Sequence, residues 1–376
     1  MDVTLGRWVS REGPLRHLDP ALIVTAVCLS LFGLFMVYSA TQQGLRTLGE
    51  DPGFYLKKQI AFLMLGVVLM VITATFDYRL VKVYAGIAFG LLLFALLLVL
   101  TPIGDETAGA QRWITLFGFQ FQPSELAKLT VVAALAAYLS ELREVRLEHV
   151  WRAAGIAAAP MALIFLQPDV GTMMVFAAVL IALLVVAGAK GRHILILLGV
   201  AVFGAIIAFH LGIVKDYQIA RLRSFLDPAA DPLRAGYNLQ QAQIAIGSGG
   251  MFGRGFLNGS QTNLDFVPEQ HTDFVFTVVG EELGFIGAIL LLGLFAILLW
   301  RGLRTALMSR DSFGTLMAAG IVTMIAFQVI VNVGMTMGIM PVTGIPLPLV
   351  SYGGTAMLTN WVAVGLLMNV HMRRFK

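Results

Sequence analysis

The sequence predicts an all-α integral membrane protein of about ten transmembrane helices, with a large extracytoplasmic loop between the seventh and the eighth. Of its 376 residues, 58% are hydrophobic and only 13% are charged, which is too little polar surface to cover a water-soluble globule. Apolar runs long enough to cross the hydrocarbon layer as helices, about 20 residues, recur along the chain. They occupy 21–40, 59–76, 80–101, 124–140, 150–166, 170–188, 193–213, 274–300, 314–338 and 350–370.

The whole chain, 1–376, is interpreted as a single polytopic membrane domain that contains the loop at 214–273, because no linker or internal repeat divides it. The first apolar run is too long for a removable signal peptide and is interpreted as an anchor. An even number of spans puts both termini on one side. Basic residues are abundant on that side, whereas the short loops of the other side carry only Arg46, Lys57, Lys58, Arg112 and Lys128. The termini are therefore predicted to be cytoplasmic and the loop external.

Composition also limits the ligands. The net charge of +4 follows from this topology and gives no reason to expect nucleic acid. Cys28 is the single cysteine and can form no intrachain disulfide. No His-Glu-x-x-His or paired-cysteine motif is present, so we expect no dedicated metal site and no tightly bound cofactor. A hydrated divalent cation such as magnesium or manganese, shared with a phosphate substrate, needs few protein ligands and stays open.

Within the loop, 216–226 is predicted to be a basic amphipathic segment that carries Arg221 and Arg223, and 236–248 a short helix. The glycine-rich run 247–255 could cradle an anion with its backbone N–H groups. It lacks both the Gly-Lys-Ser/Thr ending of a phosphate loop and a correctly spaced Gly-x-Gly-x-x-Gly. A tight structural turn is therefore the favoured interpretation.

Ionisable residues in or beside the spans mark candidate functional positions, because an unpaired charge inside a membrane is costly. Glu125 and Lys128 lie three residues apart on one helix face. They form either an internal ion pair or, with Arg112 and Trp113 nearby, a site for a lipid-linked phosphate.

Other polar residues have a structural and a functional interpretation. Asp169 and Asp273 each precede a span, where an acid commonly caps the helix; substrate binding or catalysis is the competing interpretation. Glu281 and Glu282 fall inside the eighth span, as paired structural groups or as part of a polar path. Ser351 follows a proline-rich irregular segment, which must be buried in protein or face water, and is predicted to wall a cavity.

Short motifs are distributed in order over essentially the whole chain. They are Arg112-Trp113-Ile114, Gln122-Pro123-Ser124-Glu125 with Lys128, Gln167-Pro168-Asp169-x-Gly171, Phe225-Leu226-Asp227-Pro228 through Asp231-Pro232, Gly236-Tyr237, Ala245-Ile246-Gly247-Ser248-Gly249-Gly250, Pro268-Glu269-x-x-Thr272-Asp273-Phe274, Glu281-Glu282-Leu283-Gly284, and Pro346-Leu347-Pro348 through Ser351-Tyr352-Gly353-Gly354. This pattern resembles the SEDS family (shape, elongation, division and sporulation). It is more similar to the RodA branch than to the FtsW division branch, although Gln270 and Thr355 are small departures.

The resemblance implies a peptidoglycan glycosyltransferase of cell elongation and rod-shape maintenance in the bacterial cytoplasmic membrane. Glycan is transferred, with inversion, from undecaprenyl pyrophosphate to the 4-hydroxyl of a lipid II acceptor on the outer face. The hydroxyl needs a general base, for which Asp273 is predicted, and the diphosphate needs cations. Implied partners are lipid II and nascent glycan, a class B penicillin-binding protein (a transpeptidase) and other membrane proteins of the elongation complex.

The remaining predicted site residues bind substrate. They are Lys128 with Glu125 as a phosphate-binding pair, Arg112, Arg221 and Arg223 as further cations, Trp113 as a wall of the sugar or lipid groove, Asp169 as a polar contact, and Ser351 in the cavity wall. We expect the regions 112–128 and 214–273 to meet in one outward-facing cavity.

Three alternatives differ in what they require. A lipid II flippase needs polar groups through the whole membrane thickness, whereas Arg112, Lys128, Asp169, Asp273 and Ser351 all map to outer ends of spans. A division-type FtsW-like polymerase would use the same chemistry. A non-catalytic scaffold predicts that Asp273→Ala leaves polymerisation unharmed.

Overall fold

The computed structural model describes residues 17–102, 104–107, 110–116, 119–212, 218–219, 221, 225, 235–264 and 266–375. Most of the predicted amphipathic segment 216–226, with Arg223, and the motif at 227–232 lie outside the described residues. The described helices are α1 (Pro20–Thr47), α2 (Phe54–Thr75), α3 (Tyr78–Val99), α4 (Pro123–Leu139), α5 (Leu147–Leu166), α6 (Val170–Val186), α7 (Gly191–His210), α8 (Ala235–Gly249), α9 (Ser260–Asn263), α10 (Val275–Leu307), α11 (Ser312–Thr336) and α12 (Gly354–Met372).

The protein is an all-helical multi-pass membrane protein, as predicted. Within the described ranges, seven helices are long and apolar enough to cross a membrane, namely α1, α2, α3, α5, α7, α10 and α11. Helices α4 and α6, with 17 residues each, and α12, with 19, occupy the other three predicted spans. The predicted short helix at 236–248 is α8.

Helix α11 lies at the centre of the bundle, where it contacts α10, α6 and α4. Helix α12 is buried along almost its whole length and packs mainly against α2. Both helices are mainly apolar and buried around most of their circumference, which is typical of helices surrounded by protein. By contrast, α7 lies at the periphery, and its only buried side chain is that of His193.

A small antiparallel sheet in the connection between α3 and α4 was not predicted. Its strands are β1 (Asp105–Thr107), β2 (Ala110–Leu116) and β3 (Phe119–Phe121), in the order β1-β2-β3. Strands this short have no clear two-residue periodicity over enough positions to be recognised. The sheet positions Arg112 and Trp113 at the end of the bundle where α4 begins.

The glycine-rich run 247–255 is a structural turn that packs against a break in α10, as favoured from the sequence. At the break, Gly284 has a φ of 62°, which glycine adopts readily. The N–H groups of Phe285 and Ile286 donate to the carbonyls of Gly250 and Met251, at 3.0 and 3.2 Å. The exposed backbone of α10 is therefore satisfied by the loop.

Glu281 and Glu282 are structural groups that attach the loop and α1 to α10. The Glu281 carboxylate accepts hydrogen bonds from the N–H of Gln261 at 2.8 Å and of Thr262 at 2.9 Å. Glu282 accepts one from the hydroxyl of Ser39. The structural interpretation of the two acids is thus the one observed, and neither contributes to the cavity described next.

Candidate active site

Four helices, α4, α6, α10 and α12, begin at the same end of the bundle, and residues at their N-termini surround one cavity. We call it the Asp273 cavity; its volume is about 420 Å³. Each helix N-terminus carries roughly half a positive charge from its unpaired N–H groups. The lining residues are Arg112, Trp113, Gln120, Gln122, Glu125, Lys128, Asp169, Thr172, Val175, Arg221, Glu269, Thr272, Asp273, Gly344, Ile345, Pro346, Tyr352, Gly353, Thr355 and Ala356. The regions 112–128 and 214–273 therefore meet, as expected.

Asp273 lies two residues before the first residue of α10 and does not cap the helix. The N-cap residue is Phe274, without a side-chain hydrogen bond, and the Asp273 carboxylate makes no hydrogen bond or ion pair with any described residue. Burial, followed by repulsion from Glu269, raises the pKa of Asp273 to about 7, although Arg221 and Arg112 oppose the shift. A general base is most effective when its pKa lies near the working pH.

The backbone of Asp273 is held by a buried amide on the central helix. Asn332 of α11 donates from its Nδ2 to the carbonyls of Asp273 and Ile345, at 2.8 and 2.7 Å. Gly344, with a φ of 77°, passes so close that an added Cβ would lie 3.1 Å from Oδ2 of Asp273. The acid is thus positioned between α10 and the 344–346 segment.

Glu125 and Lys128 form a buried ion pair on the first turns of α4. The Lys128 Nζ lies 2.7 Å from Oε1 of Glu125, and the two residues are 3% and 4% exposed. An ammonium has three donors, so two Lys128 N–H groups have no partner among the described residues. The ion pair and the predicted phosphate site are therefore compatible.

Arg112 and Asp169 strengthen the wall between the sheet, α4 and α6. Arg112 donates to the carbonyls of Gln167, at 2.9 Å from Nε, and Pro168, which leaves three of its five N–H donors without a described partner. Asp169 caps α6 by accepting from the N–H of Thr172 at 3.2 Å. Its capping role is therefore observed, and its predicted contact with substrate stays a prediction.

The other predicted site residues differ in placement. Arg221 lines the cavity and donates to the carbonyl of Thr343 at 3.2 Å. Arg223 lies outside the described residues. Ser351 is buried behind the cavity wall, where its hydroxyl accepts from the N–H of Leu347 at 2.8 Å. Its position gives no support to the predicted substrate contact, because the hydroxyl stabilises the proline-rich turn.

A second, aromatic cavity of about 770 Å³ adjoins the first and shares with it the walls formed by Trp113 and Tyr352. The ring centroids of Tyr55 and Tyr352 are 5.0 Å apart. Burial and the neighbouring Tyr55 raise the pKa of Tyr352 to about 12, so its hydroxyl stays protonated. At the rim, the Lys58 ammonium lies 4.2 Å from the centroid of Phe54. Aromatic faces beside hydroxyls and a cation are suited to amphipathic ligands such as sugars.

The charges of the Asp273 cavity are closely balanced. Three basic side chains face four carboxylates, and the helix N-termini add positive charge. Glu269 and Asn332 were missed as candidate residues, although an Asn inside an apolar span is itself a signal. No group of three or more His, Cys, Asp or Glu that could hold a metal ion is found in the part of the chain that the structure describes.

Comparison with known sequences gives matches along nearly the whole chain. Residues 20–376 match the model of the FtsW/RodA/SpoVE family, described as cell cycle proteins. The chain is 37% identical to the peptidoglycan glycosyltransferase MrdB of Escherichia coli, over 95% of this chain and 94% of that one. It is 39% identical to the stage V sporulation protein E of Bacillus subtilis, over 94% and 96%. A probable peptidoglycan glycosyltransferase FtsW of Geobacter metallireducens is 37% identical, over 96% of each chain.

Solved structures have the same fold. A chain from a peptidoglycan synthase complex, in a study of the structural coordination of polymerization and crosslinking, aligns with a TM-score of 0.80 at 32% identity, over 96% of this chain and 99% of that one. The rod shape determining protein RodA of Thermus thermophilus aligns with a TM-score of 0.71 at 30% identity, over 98% and 99%.

Proposed function

We propose that this chain, which belongs to the FtsW/RodA/SpoVE family and is a peptidoglycan glycosyltransferase of the bacterial cell membrane, carries out glycosyl transfer in the Asp273 cavity. The observation that carries the proposal is the half-buried, unbonded carboxylate of Asp273 in a cavity with Lys128 and Arg112. The cavity opens at the outer face if the termini are cytoplasmic, as the distribution of basic residues indicates.

Asp273 acts as the general base in the proposed mechanism. Its carboxylate accepts the proton of the acceptor 4-hydroxyl while the hydroxyl oxygen attacks the anomeric carbon that bears undecaprenyl pyrophosphate. One C–O bond forms and the other breaks, so the configuration inverts and the diphosphate leaves with the bonding electrons. Because a diphosphate is a weak base, it needs charge stabilisation and no proton donor.

Lys128, Arg112 and the N-termini of α4 and α12 are proposed to stabilise the leaving diphosphate. Both side chains keep N–H donors without a described partner, and charge-assisted hydrogen bonds to phosphate are strong. A divalent ion such as magnesium or manganese would be held mainly by the diphosphate, with Glu269 of the cavity lining as an available carboxylate, and would supply further charge compensation for the leaving group.

The adjoining aromatic cavity supports a reaction that joins two substrates. Glycosyl transfer must hold a donor and an acceptor at one reacting centre, and the two cavities share the walls at Trp113 and Tyr352. Because Trp113 lines both cavities, it is proposed to contact a sugar in each of them. A lipid II flippase is less well supported, because the deeper acids Glu281 and Glu282 hold the loop and α1.

The elongation role and the transpeptidase partner are the finer parts of the proposal. The Gly344–Pro348 run favours the RodA type, while the sequence relatives include FtsW and sporulation proteins at similar identity. A class B penicillin-binding protein is the proposed partner, supported by the likeness to a synthase complex. For the elongation type, this chain should restore rod shape in bacterial cells depleted of their own elongation polymerase. It should not restore division in cells depleted of their division polymerase.

Reconstitution tests the catalytic proposal. Purified protein, with and without the partner, is incubated with lipid II and magnesium or EDTA, and glycan polymer is measured. Asp273→Ala should abolish polymerisation, whereas Asp51→Ala, at an exposed ion pair with Lys57, should retain it. Polymer from Asp273→Ala at the wild-type rate would exclude the general base, and transport of lipid II across vesicles without polymer would favour the flippase.

A further inference from the structure

A basic pocket lies at the opposite end of the bundle from Asp273. We call it the basic basin; its volume is about 490 Å³. Helices α4 and α6 begin at the Asp273 cavity and end near the basin, so about 25 Å of helix separates the two sites. The lining residues are Arg143, Glu144, Val145, Arg146, Leu147, Ala187, Gly188, Lys190, Arg192 and His193.

The basin carries an excess of positive charge, and its four basic side chains lack the ion pairs that neighbouring basic residues at the same end make. Four of those neighbours have carboxylate partners: Arg79 with Asp311 at 3.6 Å, Lys82 with Glu141 at 3.5 Å, Arg301 with Asp19 at 2.6 Å and Arg373 with Asp77 at 3.8 Å. The four basin cations make no ion pair with any residue in the described ranges, and Glu144 is the one carboxylate among the lining residues. Such a site attracts anions.

A helix N-terminus, beside a buried imidazole, adds hydrogen-bond donors to this charge. His193 is 7% exposed, and its Nδ1 is buried without a hydrogen-bond partner. Helix α7 begins beside it at Gly191, with no side-chain cap from Lys190. The N–H of His193 donates to the carbonyl of Lys190 at 2.8 Å, which leaves the N–H groups of Gly191 and Arg192 for a ligand. An added Cβ on Gly188 would meet no atom within 4 Å, so the basin is open at this point.

The surroundings of the basin would accommodate a ligand with an apolar part. Beyond it, α7 exposes Leu195, at 70%, and Ile196. On the neighbouring helix α5, Trp151 is 40% exposed, and tryptophan is enriched at the level of lipid headgroups. A phosphate held by the basin would therefore have its acyl chains against exposed apolar side chains.

We propose that the basic basin binds the phosphate of an anionic phospholipid headgroup at the inner membrane surface. Arg143, Arg146, Lys190 and Arg192 would contact the phosphate, in the manner of basic pockets between transmembrane helices that take acidic lipids. The site is independent of glycosyl transfer, since it lies at the other end of α4 and α6.

Native mass spectrometry of the purified full-length protein tests the proposal, with phosphatidylglycerol, phosphatidylcholine and inorganic phosphate as separate probes. The variants are R143Q/R146Q and K190Q/R192Q. R304Q/R310Q is the matched control, because it removes two basic residues from the same end outside the basin. Melting temperatures and lipid II polymerisation are measured in parallel, and both should stay near wild type.

Wild type should bind phosphatidylglycerol at least tenfold more tightly than phosphatidylcholine. Each basin variant should lose about 30-fold in that affinity, because two direct contacts to the headgroup phosphate are removed at about 1 kcal/mol each, while the control, which removes no basin residue, changes by less than about twofold. Equal binding of the two lipids, or an equal loss in the control, would overturn the proposal. Inorganic phosphate that binds as tightly as the lipid would assign the basin to free phosphate and overturn the lipid assignment.

Discussion

Asp273, just before α10, and Glu281, inside α10, are acids eight residues apart in the sequence, and they differ in how their carboxylates are used. Glu281 accepts four hydrogen bonds from Ser260, Gln261 and Thr262. Asp273 makes none with the described residues and faces a cavity. Hydrogen bonds to a carboxylate stabilise its charged form, whereas burial without them raises its pKa. The comparison distinguishes an acid that holds the fold from one that is available for chemistry.

The largest expected effect comes from exchanging the two acids for amides. Asp273→Asn should lower the polymerisation rate by about 10²- to 10⁴-fold, the contribution of a general base, with no loss of folded protein. Glu281→Gln should instead destabilise the fold by about 1–3 kcal/mol, because buried donors lose their acceptor, while activity per folded molecule stays near wild type. Thermal unfolding and lipid II polymerisation on the same samples check both halves. Equal losses of activity per folded molecule in the two variants would contradict the distinction between a catalytic and a structural acid.

The Glu125–Lys128 pair combines both roles, and a double variant separates them. Lys128→Met alone leaves Glu125 buried and unpaired, which costs about 3–5 kcal/mol of stability. Adding Glu125→Leu should restore the melting temperature without restoring the polymerisation rate, which should stay about 100-fold below wild type because a cation for the diphosphate is missing. Recovery of activity together with stability would make the pair structural only.

Replacing Asn332 should have an intermediate effect on the polymerisation rate, because Asn332 positions Asp273. Asn332→Leu removes the donor to the carbonyls of Asp273 and Ile345, so the acid shifts and the rate should fall about 10-fold or more, with little change in KM. The pH dependence of the rate should shift as well, which a purely structural residue would not cause. An unchanged pH profile with an unchanged rate would show that the amide does not position the acid.

The smallest expected effect concerns stability and pH. The pKa of Asp273 is raised in the fold to about 7 from an ordinary value of 3.8, so the folded state favours the protonated acid. The stability this proton contributes is fully present below pH 3.8 and is lost as pH rises through 7. Asp273→Asn should therefore melt at a higher temperature than wild type at pH 8, with the difference absent at pH 4. A lower melting temperature at pH 8 would contradict the raised pKa.

The helical fold could be predicted because a helix that crosses a membrane needs about 20 apolar residues, and runs of that length are visible in the sequence. The ten predicted runs correspond to helices α1–α7 and α10–α12. The length of the eighth span could not be predicted: α10 extends to 33 residues across the break at Gly284, since the loop that covers its first turns supplies hydrogen bonds from distant residues. The strands of the small sheet carried no comparable signal.

Part of the candidate site could be predicted from the sequence. Asp273, Lys128 and Arg112 are charged residues at span ends, and topology alone assigns them to one face. The position of Ser351 depends on a turn in which its hydroxyl bonds to Leu347, and no spacing reveals that. Glu269 raises the pKa of Asp273 because the two carboxylates are near each other in the folded chain. The sequence does not show that distance.

The pH dependence of polymerisation, measured for wild type and Glu269→Gln, tests the central claim most directly. If Asp273 is the base, the wild-type rate should rise with pH through an apparent pKa of about 7 and then level off, since the ionised carboxylate is the active form. Removing the charge of Glu269 takes away a cause of the raised pKa, so the inflection should move to lower pH in the variant. A wild-type rate that is flat from pH 5.5 to 8.5, or an inflection that stays in place in Glu269→Gln, would contradict the assignment of Asp273 as the base.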